Sequence, residues 1–183
     1  MVESPRDWVD CVKFVAELIG PVATAIFAYL ILKATNRLEH SQWRNQKLIE
    51  RRIEAWDKVA ERINGIFCYC MRVGNWKDVS PLDVIAWKRE VDRNIHIQRP
   101  YFSSDFFERY TKFMETCYST YQGHGVDAKI NVVMQNHKTA YSASWLSEWE
   151  AMFSGRPSTE DEIKASYAAL QEQISRELGT GTE

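Results

Sequence analysis

Residues that could line an ion pathway recur at intervals of seven near the start of the chain, with small residues beside them. Positions seven apart share one side of a helix, so Glu17 and Thr24 fall on one stripe, opposite a bulky side. An acid inside a bilayer is costly unless it faces protein or water, rings of carboxylates favour cations, and small residues let helices approach. We predict that several copies associate through a pore-lining or interface stripe of Asp10, Glu17, Gly20, Thr24, Ala28 and Ile31.

A second interpretation of this stripe stays open. Glu17 would lie one turn inside the outer interface and reach water with its own side chain. The stripe would then serve anchoring and dimerisation only, because the small residues alone favour helix contact. No conductance follows from that interpretation.

The other reactive side chains give no readable catalytic or metal site. The sequence has no P-loop, GxGxxG, HExxH, GxSxG or kinase signature. The histidines lack the close pairing of zinc ligands, and the thiols of Cys68 and Cys70 would point apart around a helix. We therefore expect no enzyme, no metal and no cofactor. We interpret Cys68, Cys70 and Cys117 as reduced, buried thiols.

The stripe belongs to an apolar run from Phe14 to Leu32, which only Glu17 interrupts. At about 1.5 Å per helical residue it reaches about 28 Å, close to the roughly 30 Å of bilayer hydrocarbon. The residues that follow are strongly basic, which is typical of a cytoplasmic flank: Lys33, Arg37, Arg44, Lys47, Arg51 and Arg52. The sequence predicts a single-pass protein of a bacterial inner membrane, with residues 1–13 outside, 14–35 spanning the bilayer, and the rest cytoplasmic.

Two other origins of the apolar run remain open. Ala23 and Ala25 have the spacing of a signal-peptide cleavage site, although the residues before the run carry more acids than bases. A buried core helix of a soluble domain is the other alternative, and Glu17 would fit it.

The rest of the chain is predicted to be one cytoplasmic helical bundle, residues 36–178, with a flexible tail at 179–183. The net charge of −2 and the aromatic content of 13% favour a packed core. A long helix is predicted to end at Gly74-Asn75, and it either starts near Asn36 or continues from the span. Its apolar face would hold Ile49, Ile53, Trp56, Ala60, Ile63, Phe67 and Cys70. Core packing within one domain is the favoured use of that face, and a coiled coil between subunits is the alternative.

Five shorter helices are predicted after it, and no strand. Ser80-Pro81 should open a helix that runs to Ile97. Ser103 or Ser104 should cap the next, whose face holds Phe106, Tyr110, Phe113, Cys117 and Tyr121. Helices are then expected at 128–139 and around 145–153, and Ser158 with Asp161 should begin a last helix. The fold class is therefore all-α, with one N-terminal transmembrane helix followed by a helical bundle.

The middle of the chain, Phe67 to Ile130, resembles a family of small bacterial proteins with one N-terminal span and a helical cytoplasmic domain. The resemblance lies in six segments: 73–77 (VGNWK), 80–81 (SP), 88–90 (KRE), 100–103 (PYFS), 120–123 (TYQG) and 127–130 (DAKI). The layout is similar to that of the membrane effectors of two-gene anti-phage systems, in particular the ion-channel effectors of the Hailong system. There, a partner nucleotidyltransferase makes short DNA oligomers that hold an oligomeric channel closed until infection.

The resemblance implies a nucleotide or oligonucleotide site on the cytoplasmic domain. Cations for phosphates and an indole for base stacking would form it if they converge: Trp76, Lys77, Lys88, Arg89, Arg93, Arg99 and Lys129. The function expected is an oligomeric, ligand-controlled ion channel in anti-phage defence, with the lipid bilayer and further copies of the chain as partners. The alternative is a membrane-anchored protein-interaction module without conductance.

Overall fold

The structure is a computed structural model that describes residues 6–119 and 123–181, with side chains described at 12–13 and from 19 onward within those ranges. Its elements are mainly helices, as predicted: α1 Arg6–Met71, α2 Pro81–Ile97, α3 Ser104–Cys117, α4 Met134–Tyr141 and α5 Glu160–Glu177. Two short strands, β1 Tyr118–Ser119 and β2 Lys129–Ile130, pair antiparallel. The all-α class is therefore confirmed. Two compact units divide the chain, Met1–Lys47 and Leu48–Glu183, and α1 contributes to both.

The first unit consists of the N-terminal part of α1. The helix contains Pro21 without ending there, and the Thr24 hydroxyl donates a hydrogen bond of 2.9 Å to the Gly20 carbonyl. Large apolar side chains such as Phe27 and Ile31 are 67% and 65% exposed. By length and composition, one helix of the described chain, within Ile19–Met71, is apolar enough to cross a membrane, and its apolar window is 0% buried.

The C-terminal part of α1 forms the centre of the second unit. Its buried face runs through Ala55, Val59, Ile63, Ile66 and Cys70, at spacings of four, four, three and four. The predicted face is shifted by one residue at three positions. Trp56, Ala60 and Phe67 were predicted to be buried but are only half-buried, and the residue before each of them is the buried one. Ile53, which was also predicted on this face, is 41% exposed. Elements pack on more than one side of this helix, so its buried arc is wider than a single stripe.

One close helix contact fixes α2 against α1. A Cβ at Gly65 would lie 2.6 Å from Cζ3 of Trp87, so the indole occupies the space that the glycine leaves. The guanidinium carbon of Arg62 lies 5.3 Å from the Trp87 ring centroid, and Arg62 forms an ion pair of 3.6 Å with Glu90. The glycine is therefore required by the packing distance between α1 and α2.

The end of α1 differs from the prediction. Arg72, with φ of 57°, is the left-handed residue that stops the helix, and the Val73 amide donates to the Cys68 carbonyl at 3.0 Å. This is the hydrogen-bond pattern of a Schellman cap. The predicted stop at Gly74-Asn75 falls after it, in the turn that leads to a 3₁₀ segment at Trp76–Asp78.

The caps of α2 and α3 are confirmed. The Ser80 hydroxyl accepts from the Asp83 amide while the Asp83 carboxylate accepts from the Ser80 amide, and Pro81 occupies the first helical position. The Ser103 hydroxyl accepts from the Phe106 amide. Both signals are local in sequence, which explains why they could be predicted.

The segment after α3 was predicted incorrectly. α3 ends at Cys117, because Tyr118 turns to an extended conformation and pairs with Ile130. Tyr121, placed on the α3 face by its spacing, lies outside the described residues. The predicted helix at 128–139 is replaced by β2 and α4, and the segment around 145–153 forms a 3₁₀ helix, Ser147–Met152.

The N-cap of the last helix lies one residue after the predicted capping serine. Thr159 and Glu162 form its capping box, whereas the Ser158 hydroxyl donates instead to the Thr116 carbonyl at 2.8 Å. At the other end, Thr180 and Gly181 of the predicted tail donate amide hydrogen bonds back to the Ser175 carbonyl. The chain therefore stays attached to α5 up to Gly181.

A buried ion pair joins the start of the second unit to its end. The Arg52 guanidinium contacts the Glu177 carboxylate at 2.8 Å and the Tyr101 carbonyl at 2.6 Å. The other Glu177 oxygen accepts from the Ser103 amide at 3.0 Å. The Glu177 side chain is 5% exposed, so a single arginine and one amide compensate a carboxylate almost out of water.

Candidate ligand-binding site and span stripe

The seven residues predicted to bind a ligand lie in several places and not in one site. Trp76 is buried in an aromatic cluster, with its ring edge-to-face against Tyr141 at 5.4 Å between centroids and against His137 at 5.1 Å. The Lys77 ammonium lies 5.8 Å from the Trp76 ring centroid and the Lys77 side chain is exposed. The indole therefore fills the core and presents no free face for a nucleotide base.

Lys88 is also removed from solvent. Its side chain is 11% exposed, and its ammonium contacts the Asp92 carboxylate at 2.5 Å and lies 5.7 Å from the Tyr118 ring centroid. The second Asp92 oxygen accepts a hydrogen bond of 2.5 Å from the Tyr110 hydroxyl. Burial, and then the Asp92 charge, raise the pKa of Tyr110, so the phenol stays protonated as a donor. Lys88 serves this internal network.

Arg89 and Lys129 do come together. They border a small cleft of about 180 Å³ whose walls include Leu82, Ile85 and Met152. Arg89 is already paired with Asp127, although both side chains remain more than half exposed. Arg93, one turn further along α2, is exposed. This cleft offers two cations, one of which has an acid partner.

A second cleft, of about 540 Å³, contains Arg99 and two cations that the sequence analysis missed, Arg109 and Lys112. The Arg99 guanidinium carbon stacks 4.4 Å from the centroid of the buried Phe107 ring. Among the described residues, none of these three cations forms an ion pair, and Arg109 and Lys112 also border a cleft of about 370 Å³ between α3 and α5. Glu108 and Glu115 lie on the same rim, which leaves one positive charge in surplus.

The signal for Arg109 and Lys112 was present in the sequence. They stand three apart on α3 and are both exposed, and such a pair shares one helix face. The sequence could not show that Arg99, which follows a different helix, would join them. This arrangement of three cations, one of which stacks on an aromatic ring, suits a phosphate or carboxylate, since Arg and Lys donors are charge-assisted.

The span stripe is described in part. Gly20, Thr24, Ala28 and Ile31 are exposed on α1, and a Cβ at Gly20 would meet no atom within 4 Å. The side chains of Asp10 and Glu17 lie outside the described residues. Ile31, Thr24 and Gly20 are therefore free to contact another helix, and the role of the two acids stays a prediction.

His137 and Cys117 are titratable groups buried in the core of the second unit. The Nε2–H of His137 donates a hydrogen bond of 3.0 Å to the Tyr69 carbonyl, and burial lowers the pKa of His137. Burial, helped by neighbouring Cys70, raises the pKa of the Cys117 thiol. Cys70 and Cys117 are buried as predicted, whereas Cys68 is only half-buried. Within the described part of the chain, no three His, Cys, Asp or Glu side chains are grouped to hold a metal ion.

Comparisons with protein-family models, with curated proteins and with solved structures find no match to this chain.

Proposed function

We propose that this protein is an oligomeric ion channel of a bacterial inner membrane, controlled by a nucleotide or oligonucleotide bound to the helical domain, and that it acts in anti-phage defence. One observation carries the proposal. The apolar window of α1 is 0% buried within the chain, and the same helix carries Glu17 and Thr24 in one register. Bilayer lipid covers the bulky side of such a helix, and further copies cover the stripe.

Assembly is needed because one helix cannot shelter its own acid. A carboxylate at membrane depth is stabilised by facing water or protein, and several copies around a common axis provide both. Thr24 and Gly20 belong to the same register, and small residues support close helix approach. Copies arranged in this way place a ring of Glu17 carboxylates on the axis, where they attract cations.

Ligand control is supported by the cleft of Arg99, Arg109 and Lys112. These three cations have no ion-pair partner among the described residues and lie beside an aromatic ring. Unpaired cations of this kind bind phosphate groups, and their affinity depends on salt. The layout of one N-terminal span and a helical domain, which resembles that of the Hailong effectors, supports the remaining parts of the proposal: an oligonucleotide made by a partner nucleotidyltransferase, and a role in defence.

A membrane-anchored interaction module without conductance is the second candidate. Leu38 and Trp43 favour it, since they follow the apolar run and are 62% and 59% exposed. Exposed aromatic residues are common at protein interfaces. In this case Glu17 would contribute to helix association but not to ion flow.

The purified protein in planar bilayers separates the two candidates. We expect a cation-selective conductance for the unchanged chain, measured from the reversal potential in a salt gradient. Glu17→Gln should reduce conductance and cation selectivity severalfold, because it removes the charge that attracts cations. Absence of any conductance in the unchanged protein would leave the interaction module as the function.

Glu61→Gln is the matched control for this experiment. Glu61 is an exposed acid of the same helix that lies in the second unit, outside the apolar run. We expect the Glu61→Gln protein to conduct as the unchanged protein does. Equal selectivity of the Glu17→Gln protein and the control would show that Glu17 does not line the pore.

A further inference from the structure

One face of α1 beyond the apolar run carries a continuous basic stripe. Lys33, Arg37, His40 and Arg44 are all exposed, and together with Tyr29 they border one shallow groove of about 500 Å³ along the helix. The Lys33 ammonium lies 6.0 Å from the Tyr29 ring centroid. Among the described residues, no ion pair involves Lys33, Arg37 or Arg44. The stripe is therefore a row of uncompensated positive charge.

The register of the helix explains this row. At about 100° per residue, the five side chains from Tyr29 to Arg44 fall within an arc of about 80°. Glu39, the acid between them in sequence, points about 120° away from Lys33 and borders a different groove with Trp43. The acid does not neutralise the row, although it is close to it along the chain.

The basic stripe lies opposite the stripe that is proposed to join the copies. Thr24 is about 180° from Lys33 around the helix, and Ile31 is about 160° from it. Copies that associate through Thr24 and Ile31 therefore turn Lys33, Arg37 and Arg44 outward, towards lipid. The basic residues begin at the position after Leu32, where the apolar run ends and the headgroup layer is expected.

We propose that this stripe binds the phosphates of anionic phospholipids in the leaflet next to the helical domain. The inference rests on the proposed function, because it requires α1 to span the bilayer and to pack through the opposite face. Tyr29 lies at the depth where aromatic rings prefer the interface. Lys33 and Arg37 lie within headgroup reach, and Arg44 attracts the charged surface from slightly further away.

The test uses the full-length protein in vesicles of mixed phosphatidylglycerol and phosphatidylcholine. After detergent extraction and purification, mass spectrometry measures the ratio of the two lipids retained. We expect the unchanged protein to retain phosphatidylglycerol above its bulk fraction. In a variant carrying Lys33→Gln, Arg37→Gln and Arg44→Gln, that enrichment should fall about 25-fold or more, since Lys33 and Arg37 near the surface each contribute roughly fivefold and Arg44 adds a smaller factor.

The matched control removes the same charge elsewhere. Lys58→Gln, Arg156→Gln and Lys164→Gln change three exposed cations of the second unit, and the enrichment should stay. Equal enrichment in the stripe variant and the unchanged protein would overturn the proposal. Loss of phosphatidylglycerol on adding inorganic phosphate, at constant ionic strength set by chloride, would also overturn it, because the site would then take a free anion and not a lipid surface.

Two further readouts separate this inference from the channel proposal. Alkaline extraction shows whether each variant remains in the membrane, and bilayer recording shows whether it conducts. If the unchanged protein enriches phosphatidylglycerol and does not conduct, the lipid site is supported and the channel proposal is wrong. If it conducts without enriching phosphatidylglycerol, the channel proposal is supported and the lipid site is wrong.

Discussion

Individual buried side chains in this protein place polar groups inside the packed core. His137 is the clearest example, since its side chain is 0% exposed and lies between the rings of Tyr69 and Trp76. Burial disfavours the imidazolium and lowers the pKa of His137 from its usual 6.5. Its Nε2 contact with the Tyr69 carbonyl, at 3.0 Å, holds the neutral ring in place.

The lowered pKa of His137 predicts a pH-dependent stability. Below about pH 6.5 the unfolded chain protonates this ring while the folded chain does not, so the unfolded state binds more protons and stability falls as the pH falls. Each pH unit in this window should cost up to about 1.4 kcal/mol. Denaturant unfolding of the detergent-solubilised protein at pH 7.5 and 5.5 measures the difference.

Two variants control that experiment. His137→Asn removes the titration, so its stability should change less between the two pH values than that of the unchanged protein. His124→Asn changes an exposed histidine and should keep the full pH dependence. Equal slopes for the unchanged protein and His137→Asn would contradict the prediction.

At the scale of elements, helix packing depends on one glycine and on capping groups. Trp87 fills the space beside Gly65, where a Cβ would approach to 2.6 Å. Helix propensity alone favours alanine over glycine by about 0.5–1 kcal/mol, so propensity and packing oppose each other at this position. The rigid indole cannot fold away as a flexible chain would, and packing should dominate.

Gly65→Ala should therefore destabilise the protein by about 1–2 kcal/mol, the overpacking cost of roughly 1–3 kcal/mol less the gain in propensity. Denaturant unfolding monitored by tryptophan fluorescence measures it. Gly155→Ala is the control, because a Cβ there meets no atom within 4 Å. Adding Trp87→Leu to the Gly65→Ala protein should restore part of the lost stability. Unchanged or increased stability of the single variant would show that α2 shifts without cost.

Some features that depend on residues close together in the sequence were predicted correctly, and features that depend on distant residues were not. Ser80-Pro81 and Ser103 were sufficient to predict two helix starts, because the capping contacts lie within three residues. The end of α3 was missed, since Tyr118 pairs with Ile130, twelve positions away. The cleft of Arg99, Arg109 and Lys112 was missed for the same reason, as two separate helical segments supply it.

At the scale of the whole molecule, the proposed function requires a signal at the helical domain to change the behaviour of the span. The proposed ligand site and the proposed pore belong to different units, and α1 is the element that contributes to both. The ligand site should then be separable from conductance. Neutralising the cations should abolish control by the ligand and leave the open channel intact.

A variant carrying Arg99→Gln, Arg109→Gln and Lys112→Gln tests this separation. With a fluorescent single-stranded DNA hexamer as probe, titrations at several salt concentrations should show weaker binding. The slope of log affinity against log salt should shrink by about 2, the value for three lost phosphate contacts on single strands. Bilayer recordings should show conductance that no longer responds to the hexamer.

Arg89→Gln, Arg93→Gln and Lys129→Gln form the matched control, with the same charge change at the smaller cleft. We expect it to bind the hexamer as the unchanged protein does. The opposite result, loss of binding only in this second variant, would assign the ligand to Arg89 and Lys129. A flat salt response in the unchanged protein would argue against phosphate contacts at either cleft.

The ion pair of Arg52 and Glu177 has a consequence for the order in which the chain becomes stable during synthesis. The two residues are 125 positions apart, and translation at about 5–20 residues per second separates their appearance by roughly 6 to 25 seconds. During that interval Arg52 has no carboxylate to meet, and the Tyr101 carbonyl alone is no substitute for it. A chain that ends before α5 is complete therefore lacks this ion pair, and we expect a protease to cut its second unit faster than that of the whole chain. On this expectation, the last helix to be synthesised is the one that makes the second unit resistant.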